Sequence, residues 1–417
     1  MTAAYRGSVA GLQRDEVPRR RFPALDPEPP PPPWRRRLLW PACVLAGAAV
    51  VVTAVQLLPS LFASSPASRP AAARPGHGPV GPAIRAPGRV VLVTASGSLA
   101  LANPDGSHLA RAGGLGNVGD AVAASPDNRY ISLLNGQVIS VRPGPSLASF
   151  PGKVELSANT TVPLPDPFAD HERAVVMLAD FGDPAFSSSN PISVVSIATG
   201  RSVSLGSGDQ VAGDPAAAGV FATVAAPLPS APVSVQTTPD ARVARRDTGR
   251  PPVLLATAAE LSREAGLPRR LAVSLAVYPS PSGAEAAVTV RPAAGGPVGG
   301  LVILTRSGRT VAALPARAGA GPALGDPVWS PSGTSLAYLS TSGRGASQLS
   351  VWSAGRRGVV SSTLPASAGR YGACVWAPDG TAVLCPAAGG SEWVVARAAG
   401  GRPAVARGPG LPVAWLR

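Results

Sequence analysis

The sequence predicts an all-β fold: a seven-bladed β-propeller, with six or eight blades as alternatives, closed by its own C-terminal strand and preceded by one transmembrane helix. Three observations predict it. "DPVWSPSGTSLAYLS" from Asp326 and "ACVWAPDGTAVLC" from Ala373 repeat one pattern, an apolar stretch with a Trp, a Pro-x-Gly turn and a second apolar stretch. A Gly-Arg turn recurs in step with that pattern. The last residues, "LPVAWLR", align through Trp415 with Trp329 and Trp376 but stop at Arg417, where the turn should begin.

Residues 1–37 hold eight Arg, little that is apolar, and the run "PPPPP" at Pro29 to Pro33. Such a segment buries too little to fold, and the prolines favour extended polyproline II, so a disordered, cytoplasmic Pro/Arg-rich tail is expected. Leu38 to Leu58 carries no charge over 21 residues. As a helix it spans about 31 Å, matching a hydrocarbon core of roughly 30 Å. Arg35, Arg36 and Arg37 abut its N-terminal end. Residues 38–59 therefore read as a membrane helix with the N-terminus cytoplasmic and the rest extracytoplasmic, a single-pass protein of the cell membrane. A cleaved signal peptide is the competing reading, against which stands a charged leader of 37 residues. Residues 60–88, rich in Pro, Ala, Ser and Gly without periodicity, read as a spacer.

From residue 89 to 417 short Val, Leu, Ala and Ser-rich stretches alternate with turn residues, and only "ATAAELSREAGL" approaches helical spacing. Pro-x-Gly-type turns place Pro126, Pro281, Pro331 and Pro378 after apolar strands. Gly-Arg turns end at Arg201, Arg250, Arg309, Arg356 and Arg402, at intervals of 49, 59, 47 and 46 residues. A period in the forties with four antiparallel strands is the signature of a propeller blade. The clearest unit reads as strands at Pro327 to Ser330, Ser335 to Ser340, Gln348 to Ser353 and Val359 to Leu364. Turns between third and fourth strands at Gly106, Gly144, Gly200, Gly249, Gly308, Gly355 and Gly401 give the count of seven. The first unit, "RVVLVTASGSLALANPDGSHLARAGG", lacks a first strand, and "LPVAWLR" supplies it. Closure of this kind leaves neither chain end as an open edge.

"VWSPSGTSLAYLS" and "VWAPDGTAVLC" resemble the repeat of TolB-type and WD-repeat-like bacterial propellers, in which an aromatic strand meets a Ser-Pro-Asp-Gly turn. The resemblance covers residues 89–417 as architecture and is sharp in three or four blades. It departs in blade number, six in TolB, and in the membrane helix. It implies a fold and a habit of binding partners, and no Tol-system partner motif accompanies it.

Composition narrows the function. The formal charge is +14, yet among 37 basic residues only Lys153 is a lysine, as in a GC-rich bacterial genome. The arginines are scattered at turns without interleaved aromatics, so no nucleic acid partner is expected. Cys374 and Cys385 fall on adjacent strands of the seventh unit, and the register that opposes Ala377 to Ala382 opposes the two cysteines. A non-hydrogen-bonded pair sits about 4.5 Å apart at Cα, so this pair is a structural disulfide candidate.

"GLGNVG" at Gly114 to Gly119 fits G-x-G-x-x-G, but the strand-like "DAVAAS" follows where a helix is needed, so it reads as a loop. Asp166, Asp170, His171, Glu172, Asp180 and Asp183 gather acidic and imidazole groups at a spacing that matches no standard cation loop. The three histidines, His77, His108 and His171, are scattered, and no nucleophile or zinc motif is present. The expectation is a non-enzyme without catalytic, metal or cofactor residues: a binding or scaffolding module at the bacterial cell envelope whose partner is an envelope protein or glycan. The alternatives are a metal-dependent hydrolase on the same ring, which needs the acidic cluster of Asp166 to Asp183 at the channel mouth, and a transmembrane sensor signalling through the tail.

Overall fold

In the computed structural model the described residues are those of 86–417 other than 112–120, 126–127, 136–137, 144–152, 156–159, 162–167, 171–172, 179–189, 209, 216–218, 225–241, 268–272, 293–298, 315–326, 342–345, 357, 366–370 and 389. All of them lie in the second of the two units into which the chain divides, His77–Arg417.

The described residues form antiparallel sheets that follow one another along the chain. The first holds β1 (Arg89–Thr94), β2 (Leu99–Ala102) and β3 (Ala110–Arg111). The second holds β4 (Ala121–Ala124), β5 (Tyr130–Asn135), β6 (Val138–Pro143) and β7 (Lys153–Glu155). In the third, β8 (Thr160–Thr161) and β9 (Phe168–Asp170) both pair with β10 (Arg173–Leu178), followed by β11 (Asn190–Ser196) and β12 (Ser202–Gly208). The fourth comprises β13 (Gln210–Asp214), β14 (Gly219–Val224), β15 (Arg242–Asp247) and β16 (Val253–Thr257). After the helix α1 (Ala258–Glu264) comes the fifth, with β17 (Val273–Pro279), β18 (Glu285–Pro292), β19 (Gly300–Thr305) and β20 (Thr310–Leu314). The sixth has β21 (Val328–Trp329), β22 (Ser335–Thr341), β23 (Ser347–Ser353) and β24 (Val359–Thr363). The seventh has β25 (Val375–Trp376), β26 (Ala382–Pro386), β27 (Glu392–Arg397) and β28 (Ala404–Arg407). The last strand, β29 (Gly410–Leu416), returns to pair with β1. Six sheets are four-stranded and the third has five strands, an all-β, propeller-like architecture.

Burial explains why the middle strands lack clean alternation. Five consecutive residues are buried in each of β19 and β26, and five in β18, because both faces of these sheets are covered. Each apolar core lies between two consecutive sheets. Phe221 and Val243 of the fourth pack with Val288 and Val302 of the fifth. Leu301 and Ile303 of the fifth pack with Trp329 and Trp352 of the sixth. Leu349 and Val351 of the sixth pack with Trp376 and Val383 of the seventh. Leu384 and Trp393 of the seventh then pack with Val90, Leu92 and Trp415 of the first. Stacking sheets face to face in chain order, with the last returning to the first, bends the row into a ring.

The closing strand is the one expected from "LPVAWLR". In β29 and β1, Val90 opposes Trp415 and Arg89 opposes Leu416. Where another unit has a covalent Pro-x-Gly turn, the Trp415 indole Nε1–H donates to the Pro87 carbonyl at 3.1 Å and ties the two ends. Gly88, at φ +99°, fits this junction because a Cβ there would collide with the Leu416 carbonyl oxygen.

Two expectations need correction. A helix does form in "ATAAELSREAGL", because the Thr257 hydroxyl accepts from the Glu260 N–H while the Glu260 carboxylate accepts from the Thr257 N–H, a capping box that starts a short helix on its buried Ala258 and Leu261. The single-pass localisation in the cell membrane, with the N-terminus cytoplasmic and the propeller extracytoplasmic, is overturned. Among the described residues no helix is long and apolar enough to cross a membrane. With only seven residues, α1 reaches about 10 Å, a third of a hydrocarbon core. The span expected over Leu38 to Leu58 lies outside the described residues.

Candidate binding channel

The innermost strand of each sheet is an edge strand, hydrogen-bonded on one side only. The free sides of β4, β13, β17, β21, β25 and β29 converge on a cavity of about 350 Å³. Its wall takes Val122 and Ala124 from β4, Ala212 from β13, Ala276 and Tyr278 from β17, Val328 from β21, Val375 from β25 and Val413 from β29. Pro279 and Pro412 stand on these inner strands, which proline tolerates because the missing N–H falls on the unpaired edge. Ser125 and Asn128 supply polar atoms. The described lining contains no Asp, Glu, Lys, Arg or His. A surface of this kind takes up apolar groups.

Hydrogen bonds between inner strands hold the wall in place. The Trp329 indole Nε1–H donates to the Tyr278 carbonyl at 2.8 Å, and the Trp376 indole Nε1–H donates to the Val328 carbonyl at 2.8 Å. Each links one inner strand to the next, so the repeated Trp of the sequence is an inter-sheet tie. Asn128 makes a further tie: its side-chain amide donates to the Trp376 carbonyl at 3.1 Å, and its own carbonyl accepts from the Arg417 N–H at 3.4 Å. Asn128 occupies the left-handed position, φ +57°, that Gly283, Gly333 and Gly380 fill in the corresponding turns. Its amide is what glycine would lack, and the sequence signal was present, in "SPDN" standing where other units read "SPSG" or "APDG".

Cys374 lines the channel, while Cys385 is fully buried behind it. Their Cα atoms lie 4.2 Å apart and a disulfide joins them in the structure. The hairpin has the register read from the sequence, with Val375 opposite Leu384 and the Ala377 N–H donating to the Ala382 carbonyl.

A charged cluster that sequence reasoning missed ties the fourth sheet to the fifth. Asp214 at the end of β13 is fully buried, and the Arg306 guanidinium grips it, with Nη1 donating to Oδ1 at 2.8 Å and Nη2 in ion-pair contact with Oδ2 at 2.6 Å. Asp247 stands 3.6 Å from the same guanidinium and 3.3 Å from Arg245, whose Nη1 donates to the Arg306 carbonyl at 2.9 Å. Nearby, burial pushes the Glu285 carboxyl above its usual range. No spacing rule connects residues 92 positions apart.

Of the other predicted candidates, His108 is an exposed turn residue at φ +51° whose carbonyl accepts from Arg89 at 2.7 Å. "GLGNVG", His77, Asp166, His171, Glu172, Asp180 and Asp183 lie outside the described residues, and Asp170 is described only as the end of β9. Among the described residues no group of three or more His, Cys, Asp or Glu is placed to hold a metal ion.

No protein-family model matches the chain, and no curated protein matches it. Solved structures similar to it, one of them titled a β-propeller domain, are of distant sequence. Kuenenia stuttgartiensis hydrazine synthase shares 14% identity at a TM-score of 0.42, over 67% of this chain and 77% of that one. The Myceliophteria thermophila Cps50 (Swd1) β-propeller domain shares 10% at 0.43, over 71% and 88%. TolB from Acinetobacter baumannii shares 11% at 0.38, over 78% and 65%. At this level of similarity the neighbours say nothing of this chain's activity or partners, and the propeller assignment rests on its own sheets.

Proposed function

We propose that the chain is a non-catalytic binding or scaffolding module, a seven-bladed propeller over residues 89–417 that holds a protein partner at its central channel. The observation that carries this reading is the convergence of six inner strands on one cavity whose described wall is largely apolar and holds no Asp, Glu, Lys, Arg or His. Such a wall rewards the burial of aliphatic or aromatic side chains at about 25 cal/mol per Å² and offers few partners for sugar hydroxyls, which favours a protein segment over a glycan inside the channel.

The test is affinity capture with the full-length chain and with Ala276→Glu, which places a carboxylate on the half-buried channel wall of β17. A partner held near stoichiometry by the parent and lost by the variant, at unchanged melting temperature, supports the reading. Equal retention by both baits removes the channel from the binding site, and an empty capture with both removes the scaffold function. The Cys374–Cys385 disulfide belongs to the same reading, as a staple across the hairpin that contributes to the wall. Of three cysteines, only Cys43 is then expected to alkylate before reduction, and all three after it. Three labels without reductant would remove the staple.

A further inference from the structure

We propose that the Gly-Arg turns make one face of the ring a binding surface for a linear anionic polysaccharide. In an antiparallel four-stranded sheet, the turn between third and fourth strands leaves by the same end as the turn between first and second. Arg201, Arg250, Arg309, Arg356 and Arg402 follow the third strands of five consecutive sheets, the third to the seventh. The ends of these sheets are aligned around the ring. A Cβ on Gly333 would touch Ser280 to Ser282 of the preceding sheet's turn, one on Gly380 would touch Ser330, and one on Gly88 would touch Pro378. The five arginines are therefore displayed at equivalent places around one face.

All five are exposed, and none of their side chains is in an ion pair among the described residues. The space beyond the turns at Gly200, Gly249, Gly355 and Gly401 is open. Exposed Arg397 and Arg417 lie at the same sheet ends. The exposed carboxylates described there, Asp105 and Asp379, are engaged by Ser107 and Thr381 of their own turns. The opposite ends differ: Arg111, Arg242, Arg263 and Arg407 share them with Glu260, Glu264 and Glu392, with Arg407 paired to Glu392 at 3.1 Å and Arg263 to Glu264 at 3.5 Å.

The chemistry of the ligand follows from the spacing. Each of these five sheets contributes one such guanidinium, so no single turn makes a pocket, and only a chain that passes several sheets engages several charges at once. Nucleic acid is disfavoured because the described residues offer no exposed aromatic stacking platform. Every described Trp is buried, and no aromatic is among the exposed large apolar side chains. A carboxylated or sulfated glycan needs only spaced positive charge.

The experiment measures fluorescent heparin, a sulfated linear glycan, binding to the full-length chain by anisotropy across a salt series. Two matched variants each lose four charges: R201Q/R250Q/R356Q/R402Q on the turns and R111Q/R242Q/R263Q/R407Q on the opposite ends. The turn variant is expected to bind at least about tenfold more weakly with a shallower salt slope, and the opposite-end variant to stay within about twofold. An Arg→Lys set at the four turns, which retains charge and foldability, is expected to remain within about threefold. Equal losses in the two glutamine variants would reduce the effect to net charge and overturn the proposal, as would equal binding of neutral dextran. Tighter binding of oligothymidylate of matched charge would replace the glycan with nucleic acid. The surface is separate from the channel: Ala276→Glu is expected to leave heparin binding unchanged, so failure here leaves the channel reading standing.

Discussion

The junction between the sixth and seventh sheets and the junction between the fourth and fifth do the same work with opposite chemistry. At the first, Trp376 fills the gap between sheets and its indole N–H reaches the Val328 carbonyl. At the second, the Arg306 guanidinium holds buried Asp214 by two contacts and leans on Asp247. A large amphipathic ring buries area and satisfies one hydrogen bond, so its loss is graded. A buried ion pair gains little over an apolar filling, but losing one member leaves a charge with no water to solvate it. The ring is thus held by ties of different fragility.

The largest change expected is outside both junctions, at the closure that lets either of them matter. Deleting Leu411 to Arg417 removes fully buried Ala414, Trp415 and Leu416 together with the pairing to β1. Loss of a buried Trp side chain alone costs about 3–5 kcal/mol, so the truncation is expected to abolish cooperative thermal unfolding. A truncated chain that melts like the parent would show that the ring does not depend on the latch.

Next in size comes Arg306→Met, expected to cost about 3–5 kcal/mol in denaturant unfolding because Asp214 is left buried and unpaired. Adding Asp214→Leu should recover part of that loss. No recovery in the double variant would mean that the charges were not the cause. On the seventh sheet, reduction of Cys374–Cys385 opens a loop with a sequence separation of 11 and is expected to cost about 2–3 kcal/mol, read as a drop in melting temperature with dithiothreitol that Cys374→Ala/Cys385→Ala no longer shows. Trp376→Phe, which keeps a ring and removes the N–H, is expected to cost about 1–2 kcal/mol. A cost above that of Arg306→Met would invert the comparison.

The smallest effect is read by pH on the sixth sheet alone. Burial holds the Tyr338 hydroxyl of the sixth sheet up to about 12 against an ordinary value of 10.0, only partly offset by its hydrogen bond with Ser350. The folded state keeps a proton that the unfolded chain releases, so this contribution is complete below pH 10 and is lost as the pH rises through about 12. The Arg306 guanidinium stays charged through that window. Melting temperature is expected to fall over this range, and to fall less in Tyr338→Phe. The same slope in both proteins would assign the alkaline loss elsewhere.

Much of this architecture was legible in short range. The strands read at Ser335 to Ser340 and Gln348 to Ser353 appear as Ser335–Thr341 and Ser347–Ser353, because the turn residues that bound them act locally. The third-to-fourth strand turns at Gly106, Gly200, Gly249 and Gly308 adopt positive φ for the same reason. α1 leaves a weaker mark: its signal is a capping box on about two turns of chain, too short for a helical periodicity to stand out. The membrane expectation came from apolar length and the flanking Arg35 to Arg37, and finds no helix to support it among the described residues.

The sequence by itself determined what is encoded between near neighbours: the repeat, the strand and turn order, the closing role of "LPVAWLR", and the register that opposes Cys374 to Cys385. Only the tertiary structure decided what depends on bringing distant segments together. It made one apolar channel from six inner strands, paired Asp214 with Arg306, sent the Asn128 amide to Trp376, and gathered on one face arginines that looked scattered along the chain. The physical reason is range. Backbone sterics and hairpin hydrogen bonds act over a few residues and leave a mark in sequence, whereas burial, ion pairing and charge display depend on which sheets become neighbours once the ring has closed.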